Sequence, residues 1–196
     1  MDSNNNDIVD SAIDSSVYLR EAAHSDIDIL YEWANDSLTR QNSFNSELIP
    51  YEAHKKWFTR MMQDSSYHQF ILMRNEQPIG KIRLNINGSN AEIGYSIAKS
   101  YRNLGYGHKI LQLLSAKVKN QLPEIKNLIA KVKPDNLASQ KLFESEGYEM
   151  KYLCYSLDTQ QKTQNIQHNI TKNVAEKAVI NDAVETVNKV GGGGVD

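Results

Sequence analysis

The hexapeptide Arg102-Asn103-Leu104-Gly105-Tyr106-Gly107 stands between an alternating apolar run that ends at Ile97 and a segment whose Ile110, Leu114 and Val118 share one helical face. A strand, a glycine loop and a helix in that order commit the chain to alternating strands and helices. Two glycines let successive backbone N–H groups point at one spot, and the helix N-terminus adds about half a positive charge there. That spot suits a pyrophosphate. Gly105 and Gly107 would allow positive φ and close approach of the anion, with Arg102 and Lys109 adding charge at the rim. A glycine turn capping an ordinary helix has the same local sequence, so the loop needs its context. A dinucleotide fingerprint would need a third small residue at Ile110 and an acidic residue about 20 positions on, and a Walker loop would need Gly-Lys-Ser/Thr; neither is present.

The context extends on both sides. Val17 to Glu21 reads as a strand, and Ser25 or Asp26 can cap a helix whose Ile27, Leu30, Tyr31 and Ala34 share one face. Pro50 suits a first helical turn, after which Ala53, Trp57 and Met61 recur every four residues. Phe70 to Met73 and Ile79 to Ile86 flank a turn containing Pro78, and Asn87-Gly88 marks the reversal into Ala91 to Ile97, so three strands form an antiparallel meander. A helix from about Gly107 to Asn120, a strand at Leu128 to Val132, a helix from about Leu137 to Glu146 and a last strand from Tyr148 complete the pattern. The expected organisation is an arm at 1–16, one α+β (layered α/β) domain at 17–158 and a polar tail at 159–196. Asn, Asp and Ser crowd the arm. The tail holds an amphipathic stretch from Val174 to Val190 and four glycines at 191–194.

A net charge of -2 gives no electrostatic footing for nucleic acid. The lone Cys154 rules out an intrachain disulfide, and no Cys/His cluster has zinc spacing, so a reducing, cytoplasmic setting and no metal are expected. Neither a signal peptide nor a run of about 18 apolar residues stands out, which predicts no membrane partner.

Taken together, Ala91-Glu92-Ile93-Gly94-Tyr95-Ser96-Ile97, the R-x-x-G-x-G block at Arg102 to Gly107, Asn136-Leu137-Ala138-Ser139 and Leu142-Phe143-Glu144-Ser145-Glu146-Gly147-Tyr148 resemble a GNAT-superfamily N-acetyltransferase in order and spacing. The resemblance implies a mixed sheet of about six or seven strands with about four helices, and acetyl-coenzyme A as co-substrate. It implies that the loop from Arg102 through Asn103, Leu104, Gly105, Tyr106 and Gly107 to His108 binds the pyrophosphate, that pantetheine lies along the strand ending at Ile97, and that Asn136 and Ser139 touch the cofactor. Pantetheine amides can pair with a free strand edge as a peptide does.

Acetyl transfer needs a proton acceptor for the amine and donors for the developing negative charge. Glu92, on the strand face shared with Gly94 and Ser96, is the candidate base; the structural alternative is a solvated strand residue paired with a nearby lysine. Many family members carry a tyrosine as thiolate-protonating acid where this chain has Phe143. Tyr106, Ser139, Tyr148 or water is left for that role, or the chain is an acyl-coenzyme A sensor. Cys154 reads as a small core residue rather than a nucleophile.

Tyr31 to Asp36, Arg40 to Phe44 and His54 to Phe58 look similar to acetyltransferases acting on nucleotide-linked amino sugars in surface-glycan pathways. On that basis Trp33, Asn42 and Phe44 suit stacking and hydrogen bonding to a base or sugar, and Arg40 suits a diphosphate. The structural alternative makes Trp33 and Trp57 core anchors, and His54 and His68 read as packing or surface residues. The Glu-Ile-Gly-Tyr run looks equally like the ribosomal-protein N-terminal acetyltransferases. The partner is a small-molecule amine, and a homodimer is open.

Overall fold

A computed structural model describes residues 16–152 and Cys154. All of the expected arm except Ser16, the tail at 159–196, the stretch Val174 to Val190 and the glycines at 191–194 lie outside the described residues. The chain divides into two units after Met150, and the fold described here is that of the first.

Five strands lie in sequence order across one sheet: β1 (Val17–Glu21), β2 (Tyr67–Arg74), β3 (Gln77–Asn87), β4 (Asn90–Ile97) and β5 (Asn127–Ala130). The first four are antiparallel neighbours, and β5 runs parallel to β4. Five helices accompany them: α1 (Ile27–Asn35), α2 (Ser37–Gln41), α3 (Tyr51–Met61), α4 (Tyr106–Gln121) and α5 (Leu137–Ser145). The extra short helix α2 exists because Asp36 caps it, accepting from the Thr39 amide at 3.1 Å. No strand begins at Tyr148: 148–152 carry no regular structure, and Met150 and Tyr152 are exposed rather than alternating into a core. Cys154 is likewise exposed, not the core residue expected.

Local chemistry sets the connections. The β2–β3 reversal falls at Asn75-Glu76, both at positive φ, which matches the twist of a tight hairpin. Pro78 therefore sits inside β3, beside the register shift at Leu72/Met73, where a missing N–H is tolerated. In the next hairpin Asn87 pairs with Asn90, so the two central residues are Gly88 and Ser89, one step later than the expected Asn87-Gly88. Gly88 supplies the positive φ of +60°.

Strand alternation sorts the side chains into two layers. Phe70, Leu72, Ile82, Leu84, Ala91, Ile93 and Ile97 pack with Ile110, Leu111 and Leu114 of α4 and Phe143 of α5. On the other face Ile71 and Met73 pack with Leu30 of α1 and Phe58 and Met61 of α3, with Trp33 and Trp57 half-buried against them. The buried stripe of α3 is His54, Phe58 and Met61 rather than Ala53, Trp57 and Met61, a rotation of one residue that leaves Ala53 exposed. His54 fits because its Nε2 meets the Ile27 carbonyl at 3.0 Å, and burial lowers its pKa.

Beneath α1, Arg20 grips Asp26 with two guanidinium bonds of 2.7 Å, and the Ala23 amide donates to the same carboxylate. Asp26 thus fixes the turn into α1 without capping the helix itself.

Candidate active site

The functional geometry starts where β4 and β5 part. β5 is four residues long, and its pairing runs only from Asn90↔Asn127 to Ile93↔Ala130. The chain then turns at Pro134-Asp135 into α5. From Gly94 to Ile97 no strand pairs with that edge of β4 among the described residues. An extended molecule bearing amides can add there, as in strand addition.

That edge leads to the glycine loop. Asn103 (φ +59°) and Gly105 (φ +82°) take the left-handed conformation, and Gly105 is the residue from which α4 starts. No side chain caps α4, and its first backbone bond runs from the Lys109 amide to the Gly105 carbonyl. The amides of Gly105, Tyr106, Gly107 and His108 are therefore without intrahelical acceptors, at the positive end of a sixteen-residue helix. A Cβ built on Gly105 meets nothing within 4 Å, so the space beside the loop is open. This is a ready anion site.

Gly107 differs from expectation. It lies within α4 and has no positive φ; a Cβ there would come within 2.9 Å of Leu142 Cδ2, so Gly107 permits the close approach of α5. Asn103, Leu104, Gly105 and His108 are exposed. The His108 ring lies 2.7 Å from Glu146, tying α4 to the end of α5. Lys109 is half-buried.

Arg102 does not stand free at the rim. Its Nε donates to the Ile97 carbonyl at 3.0 Å and its Nη2 to Asp36 at 2.5 Å. Burial works against the Asp36 carboxylate, yet Arg102 and Thr39 hold its carboxyl below the usual range. The pair locks the glycine loop to α2, and Lys133 Nζ adds a 2.8 Å bond to the Gln41 carbonyl. The segment carrying Arg40, Asn42 and Phe44 is thereby fastened beside the glycine loop.

Asn136 caps α5, accepting from the Ser139 amide at 3.2 Å. Ser139 Oγ lies 3.3 Å from the Tyr95 hydroxyl, which reaches α5 from β4. Burial raises the Tyr95 pKa, with the Ser139 contact opposing. Phe143 is buried between the rings of Tyr95 and Tyr148, at centroid distances of 5.8 and 5.0 Å. Tyr95 was not singled out from sequence, although the alternation of β4 puts it on the α5 side with Ile93 and Ile97.

Glu92 is partly exposed and pairs with Lys131 at 2.6 Å, the structural alternative noted for it. Trp33 is half-buried against the α1–α3 layer, and Phe44 is 72% exposed. Arg40 bonds the carbonyls of Asn45 and Glu47 and the Ser43 hydroxyl, shaping the loop after α2. Asn42 closes α2, its amide donating to the Arg40 and Leu38 carbonyls. An open depression of about 350 Å³ lined by Ser115, Lys119 and Lys126 shares no residue with this region. Among the described residues no group of His, Cys, Asp or Glu could hold a metal, and no helix is long and apolar enough to cross a membrane.

Comparison with known proteins agrees with this geometry. Residues 16–149 match the acetyltransferase (GNAT) domain family. Acetyltransferase PseH of Campylobacter jejuni is 26% identical over 129 residues, covering 65% of this chain and 80% of that protein. The Vibrio cholerae spermidine N-acetyltransferase, solved with CoA and spermine, superposes with a TM-score of 0.67 at 17% identity, covering 74% of this chain and 88% of the other. An aminoglycoside acetyltransferase AAC(6')-Ib bound to coenzyme A superposes with a TM-score of 0.60 at 23% identity, covering 69% and 86%. With a family match over two-thirds of its length and, among the described residues, a β4 edge unpaired beyond Ile93 and four amides free of helical partners at the start of α4, the chain belongs to the GNAT acetyltransferase family and is an acyl-coenzyme A-dependent acetyltransferase.

Proposed function

We propose that this chain acetylates a primary amine on a nucleotide-linked amino sugar. Acetyl-coenzyme A supplies the activated acetyl group. The amides of Gly105 to His108 receive its pyrophosphate, and the free edge from Gly94 to Ile97 aligns its amide-bearing arm. Arg102, Asn103 and Leu104 hold the loop in shape, and Asn136 and Ser139 border the same gap from α5. Glu92 takes the proton of the attacking amine after exchanging its Lys131 partner for the substrate. Tyr95, reaching the gap with Ser139, is the hydroxyl that serves the sulfur side in place of the phenol lacking at Phe143.

The acceptor assignment is carried by the anchoring of α2 to the cofactor loop through Asp36 and Arg102. That contact fastens the segment bearing Arg40, Asn42 and the exposed Phe44 to the glycine loop, which supports a reading in which Phe44 and Trp33 stack on rings and Arg40 faces a diphosphate. Similarity to acetyltransferase PseH supports the same reading. The test is product mass: a nucleotide-linked amino sugar incubated with acetyl-coenzyme A should gain one acetyl group only with the protein present. Acetylation of N-terminal peptides in its stead would overturn the sugar assignment and favour the ribosomal-protein type.

A further inference from the structure

On the sheet face that carries Glu92, cross-strand pairing sets Lys81 opposite Ser96, Arg83 opposite Gly94 and Asn85 opposite Glu92. Arg83 leans across β4, since a Cβ on Gly94 would come within 3.1 Å of its Nε. Arg83 and Arg40 of α2 both act on the Lys81 charge. Among the described residues none of these three cations pairs with a carboxylate; the ion pairs fall on Arg20, Arg102, His108, Lys131 and Lys133. Arg40 Nε, Ser96 Oγ and the Tyr67 hydroxyl are buried without a hydrogen-bond partner of good geometry, and Arg83 also acts on the Tyr67 phenol.

Lys81 and Arg40 are partly withdrawn from water with no carboxylate among the described residues to neutralise them, and the exposed Arg83 adds like charge beside Lys81, an arrangement that costs free energy. The cost shows at Lys81: removal from water, with Arg83 and Arg40 adding like charge, holds its pKa at about 7. An oxyanion of two or more charges would answer these together, taking the Arg83 guanidinium, the Arg40 Nε–H and the two hydroxyls while the terminal nitrogens of Arg40 keep their loop contacts. A polycationic acceptor would be repelled.

We propose that Lys81, Arg83 and Arg40, with the hydroxyls of Ser96 and Tyr67, form a phosphate subsite for the acceptor, separate from the amides of the α4 N-terminus. The proposal rests on the acetyltransferase reading and assigns the phosphate-bearing part of the acceptor to these residues. Glu92 lies two residues along β4 from Gly94 and four from Ser96, which sets the amine roughly 7 to 13 Å from the phosphate. The charged groups around Lys81 are Arg83 on its own strand and Arg40 on α2, while His54 on α3 feels the Lys81 charge. Anion binding restores the Lys81 ammonium, so above its pKa the complex takes up a proton.

The test titrates inorganic pyrophosphate by calorimetry into protein saturated with coenzyme A, which fills the α4 site. Lys81→Met and Arg83→Met should each weaken pyrophosphate roughly tenfold to a hundredfold, as expected for one charge-assisted contact, and leave coenzyme A affinity unchanged. Proton uptake, read from buffers of different ionisation enthalpy, should appear in the wild type and vanish in Lys81→Met. No pyrophosphate binding to the saturated protein, or wild-type affinity in both variants, overturns the subsite. Failure of coenzyme A itself to bind would instead strike the acetyltransferase reading. The same titration on free protein would then decide the subsite by the same variants.

Discussion

The Glu92 carboxylate meets the Lys131 ammonium at 2.6 Å, where β4 and β5 make their last pairings. The pair holds a carboxylate at the mouth of the strand gap with a counter-ion that a substrate ammonium can replace. Glu92→Gln should lower kcat/KM by roughly 10²- to 10⁴-fold at neutral pH, the range of general acid–base catalysis, with cofactor affinity unchanged. An unaltered pH–rate profile in that variant would remove Glu92 as the base and leave positioning as the source of rate.

Tyr95 and Phe143 stand ring against ring with centroids 5.8 Å apart, one bearing a hydroxyl and the other none, and the proposed function gives the hydroxyl to the sulfur side. Tyr95→Phe should reduce kcat about tenfold or more and leave the KM for acetyl-coenzyme A near its original value. Phe143→Tyr should partly rescue that loss if its phenol reaches the gap. A Tyr95→Phe enzyme as fast as the wild type would assign the proton to water.

The Arg20–Asp26 contact predicts a pH dependence of stability. Its bidentate bonds, foremost, hold the Asp26 carboxyl below its ordinary pKa. A depressed carboxyl stabilises the fold fully above its unfolded pKa of about 3.9, and the contribution is lost as pH falls through the lower folded value. Asp26→Asn should cost about 1–3 kcal/mol at neutral pH, discounted for the partial exposure of Arg20. Denaturant unfolding should show the two proteins converging in acid. A gap that persists unchanged there would contradict the ionic account.

The βα unit was legible because two signals coincide in it: β4 alternates cleanly, and Gly105 falls where α4 must begin. The acid–base pair Arg20–Asp26 was not, since an Asp before a helix reads as a cap and nothing local reveals that Arg20 takes it. The stripe of α3 slipped because Trp57 outweighs His54 in hydrophobicity, whereas the Ile27 carbonyl makes the histidine the better buried residue. Lys81 and Arg83 were invisible for a related reason. Polar alternates on β3 read as a water-facing row, and nothing local to them reveals that Arg40 of α2 acts on the same charge.

The central claim is that the α4 N-terminus and the β4 edge receive acetyl-coenzyme A, and calorimetry on two glycine variants tests it most directly. Gly105 and Gly88 both have positive φ and open space around a built Cβ, but only Gly105 borders the site. Both Gly105→Val and Gly88→Val should strain the backbone. The account predicts that Gly105→Val weakens acetyl-coenzyme A binding by roughly a hundredfold or more, while Gly88→Val binds it as the wild type does. Equal affinity in the Gly105 variant and the wild type would contradict it.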